Sequence, residues 1–219
     1  MTPRDYIDAA RVPLCLKPQS FGVWRIKRWD SADINRRKLS IVGQFQLQAI
    51  LARIGYPYYT LLTRFSWATL HLSEESQEVV MEDSQEELRK HLPIWMNAKG
   101  KVLITGLGLG CVVRGLLASK DVDHITVIEI DKSILRVCGH EFAGNKRVKL
   151  IQADALKFEP NGHKFDYAWH DLWTEGEEHL QVQHMRLIVK WAGVVKQQGA
   201  WNMPRFLKRR LFPKTGLLK

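Results

Sequence analysis

"VLITGLGLGC", residues Val102 to Cys111, decides how this chain is read. A short apolar run rich in β-branched side chains meets three glycines at alternate positions, Gly106, Gly108 and Gly110. The helical pattern "VVRGLLASK" follows it directly. A strand that hands over to a helix through glycines lets backbone approach a ligand closely, because no Cβ intervenes. The free N–H groups at the helix start lie at the same place. Two readings fit the glycines alone: a tight connection without a ligand, or a cradle for part of a nucleotide-like molecule.

Outward from this turn, strands and helices alternate at short intervals. "KVLITG", "HITVIEID", "RVKLIQAD" and "KFDYAWHDLW" read as strands. "CVVRGLLAS", "KSILRVCGHEFA" and a long segment, "EEHLQVQHMRLIVKWAGVV", read as helices. That alternation implies βαβ units and a parallel sheet. In a doubly wound sheet, ligands bind beyond the carboxyl ends of the strands, near the point where strand order reverses. Three acids fall on that edge. Glu129 lies 23 residues after Gly106, near the roughly 20 expected for an acid that grips ribose hydroxyls. Asp154 follows the third strand, where it can accept a hydrogen bond from an exocyclic amine, and Asp171 ends the fourth. Gathering unpaired carboxylates there without a ligand is costly. The spacing GxGxG is not the GxGxxG of a dinucleotide site, which disfavours NAD and FAD. No GxxxxGK[ST] loop points to ATP or GTP hydrolysis.

Upstream, residues 1–22 contain three prolines and read as an irregular arm. "VWRIKRW" alternates as an amphipathic strand, and "INRRKLSIVGQFQLQAILARIG" has helical spacing that ends at Gly55 and Pro57. "YYTLLTRFSWATLHL" and "EVVMED" are strand-like. "DSQEELRKHL" reads as a helix, with Ser84 and Glu87 at capping-box spacing and Pro93 as its stop. Downstream of the fourth strand, one helix and a basic tail remain. The expected architecture is α/β: a doubly wound, Rossmann-like, mostly parallel sheet, C-terminally truncated, with an N-terminal α+β elaboration. The boundaries are 1–95 for the elaboration, 96–200 for the nucleotide-binding unit and 201–219 for the tail. The exposed sheet edge invites cover, by the strands around residues 58–72 or by a homodimer.

Composition narrows the function classes. The 219 residues are 45% hydrophobic and carry a formal charge of +10. The basic excess sits at the two ends, including Arg205, Lys208, Arg209 and Arg210 in an acid-free tail. Such segments suit nucleic acid or another polyanion, and serve equally as solvated tails. Cys15, Cys111 and Cys138 are far apart, and neither CxxC nor HExxH occurs, so no metal site is expected and the setting reads as reduced and cytoplasmic. "MTPRDYIDAA" lacks the apolar core of a secretory leader, and no apolar run approaches the roughly 20 residues that span a bilayer.

Taken together, "VLITGLGLG", "HITVIEIDKSILRVC", "VKLIQADALKF", "FDYAWHDLW" and the lead-in "MEDSQEELRKHLP" resemble the class I S-adenosylmethionine-dependent methyltransferase fold, in its spermidine synthase-like branch. The resemblance covers about residues 80–175. It implies S-adenosylmethionine as cofactor, held by Gly106, Gly108, Gly110, Glu129, Asp154 with its neighbour Ala155, and Asp171. It implies a catalytic base at the end of the fourth strand, Asp171 or His170. Strand alternation sends these two to opposite sides, so only one faces the pocket, and Asp171 is the favoured one. Asp131 is expected to cap the following helix. Trp169 is read as core, and Trp173, in the loop, as core or stacking platform.

Aminopropyl-transferring members carry an acid where Leu109 stands. They also carry a DxxDP loop, whose second aspartate and proline are replaced here by Thr174 and Glu175. The expectation is therefore methyl transfer, to a small-molecule or nucleic-acid acceptor. The alternatives are aminopropyl transfer from decarboxylated S-adenosylmethionine, or a non-catalytic nucleic-acid-binding module on the same fold.

Overall fold

The computed structural model describes residues 1–29, 57–63, 78–172, 177–201 and 203. The helix expected near residues 39–54, the second half of the 58–72 stretch, Trp173, Thr174, Glu175 and most of the basic tail lie outside these residues.

The chain opens with a helix, α1 (Pro3–Ala10), where an irregular arm was expected. Thr2 and Asp5 form a reciprocal capping box, and Tyr6, Ile7 and Ala10 make a buried face. The prolines do not oppose it. Pro3 occupies the first turn, where its missing N–H is harmless, and Pro13 and Pro18 follow the helix.

Four strands then form an antiparallel sheet in sequence order: β1 (Gln19–Phe21), β2 (Trp24–Trp29), β3 (Tyr58–Thr63) and β4 (Glu78–Glu82). In β2 the alternation turns Trp24 and Ile26 inward and leaves Arg25 exposed. The buried Asp83 carboxylate accepts from Val12 N at 2.8 Å and Tyr59 N at 2.5 Å, tying the segment after α1 to this sheet.

Two short helices lead out of it, α2 (Gln85–Arg89) and α3 (Leu92–Asn97). Ser84 caps α2, its hydroxyl accepting from Glu87 N at 3.2 Å. Pro93 sits in the first turn of α3 rather than stopping α2.

The second sheet is parallel throughout: β5 (Gly100–Thr105), β6 (Val122–Glu129), β7 (Val148–Gln152), β8 (Phe165–His170) and β9 (Val195–Ala200). Its order is β7-β6-β5-β8-β9, so the chain winds outward from β5, returns, and winds out the other way from β8. The reversal between β5 and β8 is the switch point of a doubly wound sheet. Helices α4 (Cys111–Ala118), α5 (Lys132–Val137) and α6 (Glu177–Trp191) make the crossovers.

Strand β9 adds a fifth strand, which the sequence pattern had not displayed, to the four expected. The helical reading ran through Val195, but α6 stops at Trp191 and Gly193 follows. Half of the strand "VKQQGA" is polar, so its β signal is faint. Pairing with β8 supplies the reason for its polarity, because the buried Gln198 side chain donates to Ile188 O at 2.7 Å and accepts from His170 Nε2 at 3.1 Å.

The N-terminal sheet does not extend the parallel one. The two share one hydrophobic core, which runs from Tyr6 and Trp24 through Tyr59 and Trp95 to Val102 and Trp169. Trp169 is thus a core residue, as its sequence position suggested.

Candidate functional site

The glycine turn is built against the protein's own atoms. All three glycines have positive φ: Gly106 +89°, Gly108 +52° and Gly110 +80°. A Cβ on Gly106 would run into the Asp171 carbonyl, one on Gly108 into the Met81 sulfur, and one on Gly110 would lie 2.8 Å from the Phe142 ring. Four of the turn's N–H groups are likewise engaged. Gly106 N donates to Ile128 O at 2.8 Å, Leu107 N to Glu129 Oε2 at 2.7 Å, Leu109 N to Met81 Sδ at 3.2 Å, and Gly110 N to Leu107 O at 2.9 Å. The close approach that the glycines permit is therefore, first, that of the β8 terminus and of β4.

Gly106→Ala tests this. The strained φ and the collision with a backbone carbonyl should lower stability by about 2 kcal/mol or more, read as a shifted urea midpoint.

Beyond the tips of β5, β6, β7 and β8 lies a cavity of about 700 Å³. Gly106 and Gly108 line it; Gly110 does not. Glu129, Asp154, Ala155 and Asp171 line it too, so four strand ends converge on one space. Glu129 is buried, with Oε2 on Leu107 N and Oε1 on Asp131 N at 2.8 Å. A carboxylate has about four lone-pair sites, so acceptor capacity remains for a diol. Burial pushes the Glu129 carboxyl above its ordinary value, against the pull of those backbone hydrogen bonds.

Asp131 caps α5, as its position suggested. Its Oδ1 accepts from Ser133 N at 2.6 Å and Ile134 N at 3.2 Å. Its Oδ2 accepts from Trp24 Nε1 at 2.7 Å, fastening the N-terminal sheet to the site. Asp154 Oδ1 accepts from Leu156 N at 2.9 Å, while the exposed Lys157 ammonium stands 3.4 Å from Oδ2.

Asp171 leaves β8 with its backbone N donating to Thr105 O at 2.8 Å. Burial, and then the charges of Glu87 and Glu129, push its carboxyl up to about 7, with Lys90 opposing them. His170, one residue earlier, points away from the cavity. It is buried, its Nδ1 3.1 Å from Thr105 Oγ1 and its Nε2 3.1 Å from Gln198 Oε1. Because the Gln198 amide nitrogen is committed to Ile188 O, His170 Nε2 donates and Nδ1 accepts. Burial lowers its pKa to about 4. The pairing that strand alternation separates is thus resolved: Asp171 faces the cavity, and His170 locks β8 between β5 and β9.

Several lining residues lay outside the sequence reading. Ile130, 64% exposed, stands at the tip of β6 between two acids, and with Ile134 and Leu156 it gives the cavity an apolar flank. An apolar residue in the run "EID" was the available signal. Trp24 and Met81 come from the antiparallel sheet, Glu87 and His91 from the lead-in to β5, and Trp201 from the end of β9. Trp201 Nε1 donates to Glu87, which closes that side. His184 on α6 accepts from Leu172 N at 3.1 Å and so holds the loop that follows Asp171.

Among the described residues, the wall includes the carboxylates of Glu87, Glu129, Asp131, Asp154 and Asp171, and no lysine or arginine. Among the same residues, no group of three His, Cys, Asp or Glu is arranged to hold a metal, and no helix is long and apolar enough to cross a membrane.

Residues 82–202, more than half of the chain, match the family described as Spermine/spermidine synthase domain. A polyamine aminopropyltransferase from Agathobacter rectalis is 32% identical over 92 residues, which is 37% of this chain and 32% of that protein. A ribosomal RNA small subunit methyltransferase A from Pseudomonas fluorescens is 38% identical over 61 residues, 28% of this chain and 22% of that protein. The chain thus spans between about a fifth and a third of the length of these relatives. Among solved structures, TrmN from Thermus thermophilus aligns with a TM-score of 0.43 at 15% identity, over 57% of this chain and 41% of that one.

Proposed function

Since the chain belongs to the spermine/spermidine synthase domain family, we propose that it is a transferase that takes S-adenosylmethionine as donor and methylates an acceptor held beside Asp171. One observation carries the reading: Glu129 and Asp154, from the ends of successive strands, line the same cavity as Gly106 and Gly108. An adenosine fits this arrangement, with Glu129 on the ribose hydroxyls, Asp154 and Ala155 at the base edge, and Ile130, Ile134 and Leu156 against the ring. A volume of about 700 Å³ suits a nucleoside donor together with part of an acceptor.

When bound, the donor supplies an electrophilic methyl group on a sulfonium. A wall that, among the described residues, carries carboxylates and no lysine or arginine favours that positive charge. Asp171 is placed to receive the proton that the acceptor loses, and a carboxyl near 7 is matched to that task at neutral pH. Positioning does most of the remaining work.

Aminopropyl transfer is the second reading, favoured by the same carboxylates, which suit an amine acceptor. Leu109 weighs against it: this buried residue offers no carboxylate to the terminal amine of a decarboxylated donor. The acceptor is a small molecule or a nucleic acid. For a nucleic acid, contacts to phosphate must come from outside this acidic wall, as from the basic tail, and the setting is cytoplasmic.

Calorimetry with the intact and the decarboxylated donor tests the ranking. The intact form should bind at micromolar concentration and about tenfold more tightly, a difference of about 1.4 kcal/mol. The reverse preference would move the chain to aminopropyl transfer. Binding of RNA but of neither nucleoside, with steep salt dependence, would make it a non-catalytic nucleic-acid module.

A further inference from the structure

His91, the residue just before α3, is fully buried and lines the cavity, and neither of its ring nitrogens has a hydrogen-bond partner. Buried polar atoms are almost always satisfied, and an exception in a cavity wall calls for a ligand atom to complete it. The ring is held by aromatic neighbours. Its centroid lies 5.7 Å from that of Trp95 and 6.0 Å from that of Trp169, the latter edge-on. Nε2 stands 3.9 Å from Asp171 Oδ2, too far for a hydrogen bond between them. The gap admits one heteroatom about 2.9 Å from each.

We propose that His91 is a substrate-contacting residue: its Nε2 and Asp171 Oδ2 together clasp the reacting, hydrogen-bearing heteroatom of the acceptor. The inference rests on the donor site described under Proposed function, since only a donor in that cavity makes the Asp171 side its acceptor end. Burial drives the His91 pKa down to about 3, so the imidazole is neutral, with the proton on one ring nitrogen and a lone pair on the other. In the tautomer with the proton on Nδ1, Nε2 and the ionised Asp171 are both acceptors. A nitrogen that carries two hydrogens satisfies them at once, whereas a hydroxyl satisfies one. His91 thereby directs the nitrogen lone pair away from both acceptors and toward the donor side of the cavity. The residue was invisible as a functional candidate in the sequence, because "KHLP" read only as the end of a helix.

The test uses the full chain, labelled with ¹⁵N, saturated with S-adenosylhomocysteine and titrated with methylamine as the probe. The His91 Nε2 resonance, assigned by its loss in His91→Gln, should move on titration, while those of His170 and His184 stay in place. In His91→Phe, which keeps a ring between the two tryptophans, methylamine affinity should fall at least tenfold and S-adenosylmethionine affinity should stay within twofold. A stationary His91 resonance, or equal methylamine affinity in wild type and His91→Phe, overturns the role of His91 alone. If His91→Phe fails to fold, the wild-type resonance decides. Absence of S-adenosylmethionine binding by the wild-type chain overturns the donor site, and this proposal with it.

Discussion

An Asp171→Asn variant should lose roughly 10²–10⁴-fold in turnover, read as S-adenosylhomocysteine formed with whichever acceptor supports the wild-type reaction. The amide cannot take up the acceptor's proton, yet it keeps the shape of the side chain and leaves the backbone hydrogen bond to Thr105 in place. The pH profile carries the sharper signature. In the wild type, Asp171 is the active base only when ionised, so the rate climbs as pH rises through about 7. The variant should lack that limb.

A binding measurement gives the same answer without an acceptor. Below pH 7 the wild-type carboxyl is largely protonated, and a sulfonium placed beside it favours the ionised form. Donor binding near pH 6 should then release up to about one proton, seen by calorimetry in buffers of different ionisation enthalpy. The variant should release none from this site, and near that pH its donor affinity should lie within a few-fold of wild type. Stability moves in the unusual direction. A carboxyl raised from 3.8 to about 7 on folding contributes fully below about pH 4, and its contribution is lost as pH rises through about 7. The asparagine variant therefore gains on the wild type between those limits, which urea unfolding at pH 5 and pH 8 reads directly. Parallel stability curves would sink the assignment of the raised carboxyl.

Glu129→Ala should weaken S-adenosylmethionine by at least tenfold, about 1.4 kcal/mol, because a charge-assisted hydrogen bond to the ribose is lost. Glu129 also braces the turn that it faces, through Leu107 N and Asp131 N. The alanine variant leaves both donors without their acceptor, so stability should fall as well, by on the order of 1–3 kcal/mol. Glu129→Gln separates the two effects. Its carbonyl oxygen retains one backbone bond and recovers part of the stability, while the amide nitrogen cannot accept from a hydroxyl and donor affinity stays low. Calorimetry and urea unfolding on both variants distinguish these outcomes. Unchanged affinity in a folded alanine variant would mean that the ribose lies elsewhere.

Much of this molecule was legible in residue order because its central parallel strands are buried on both faces. "KVLITG" and "HITVIEID" are apolar for that reason, and their boundaries fall near those of β5 and β6. The acids at the strand tips were legible because topology places every strand end of such a sheet on one edge. Strand β9 escaped because a strand that buries glutamine against a neighbour's histidine has no apolar signature. Helix α1 escaped because its prolines drew attention away from the capping pair at Thr2 and Asp5.

Local pattern settled the strand-and-helix alternation, the glycine turn, and the acids that face the same edge as that turn. These follow from steric and hydrophobic rules that act over a few residues. Long-range packing settled what occupies the glycines, which of the two residues ending β8 meets the cavity, and that His91 stands unpartnered opposite Asp171. Those are relations between segments as many as 80 residues apart. A side chain's burial, its pKa and its free lone pairs depend on atoms brought beside it by the whole fold, and no local periodicity encodes them.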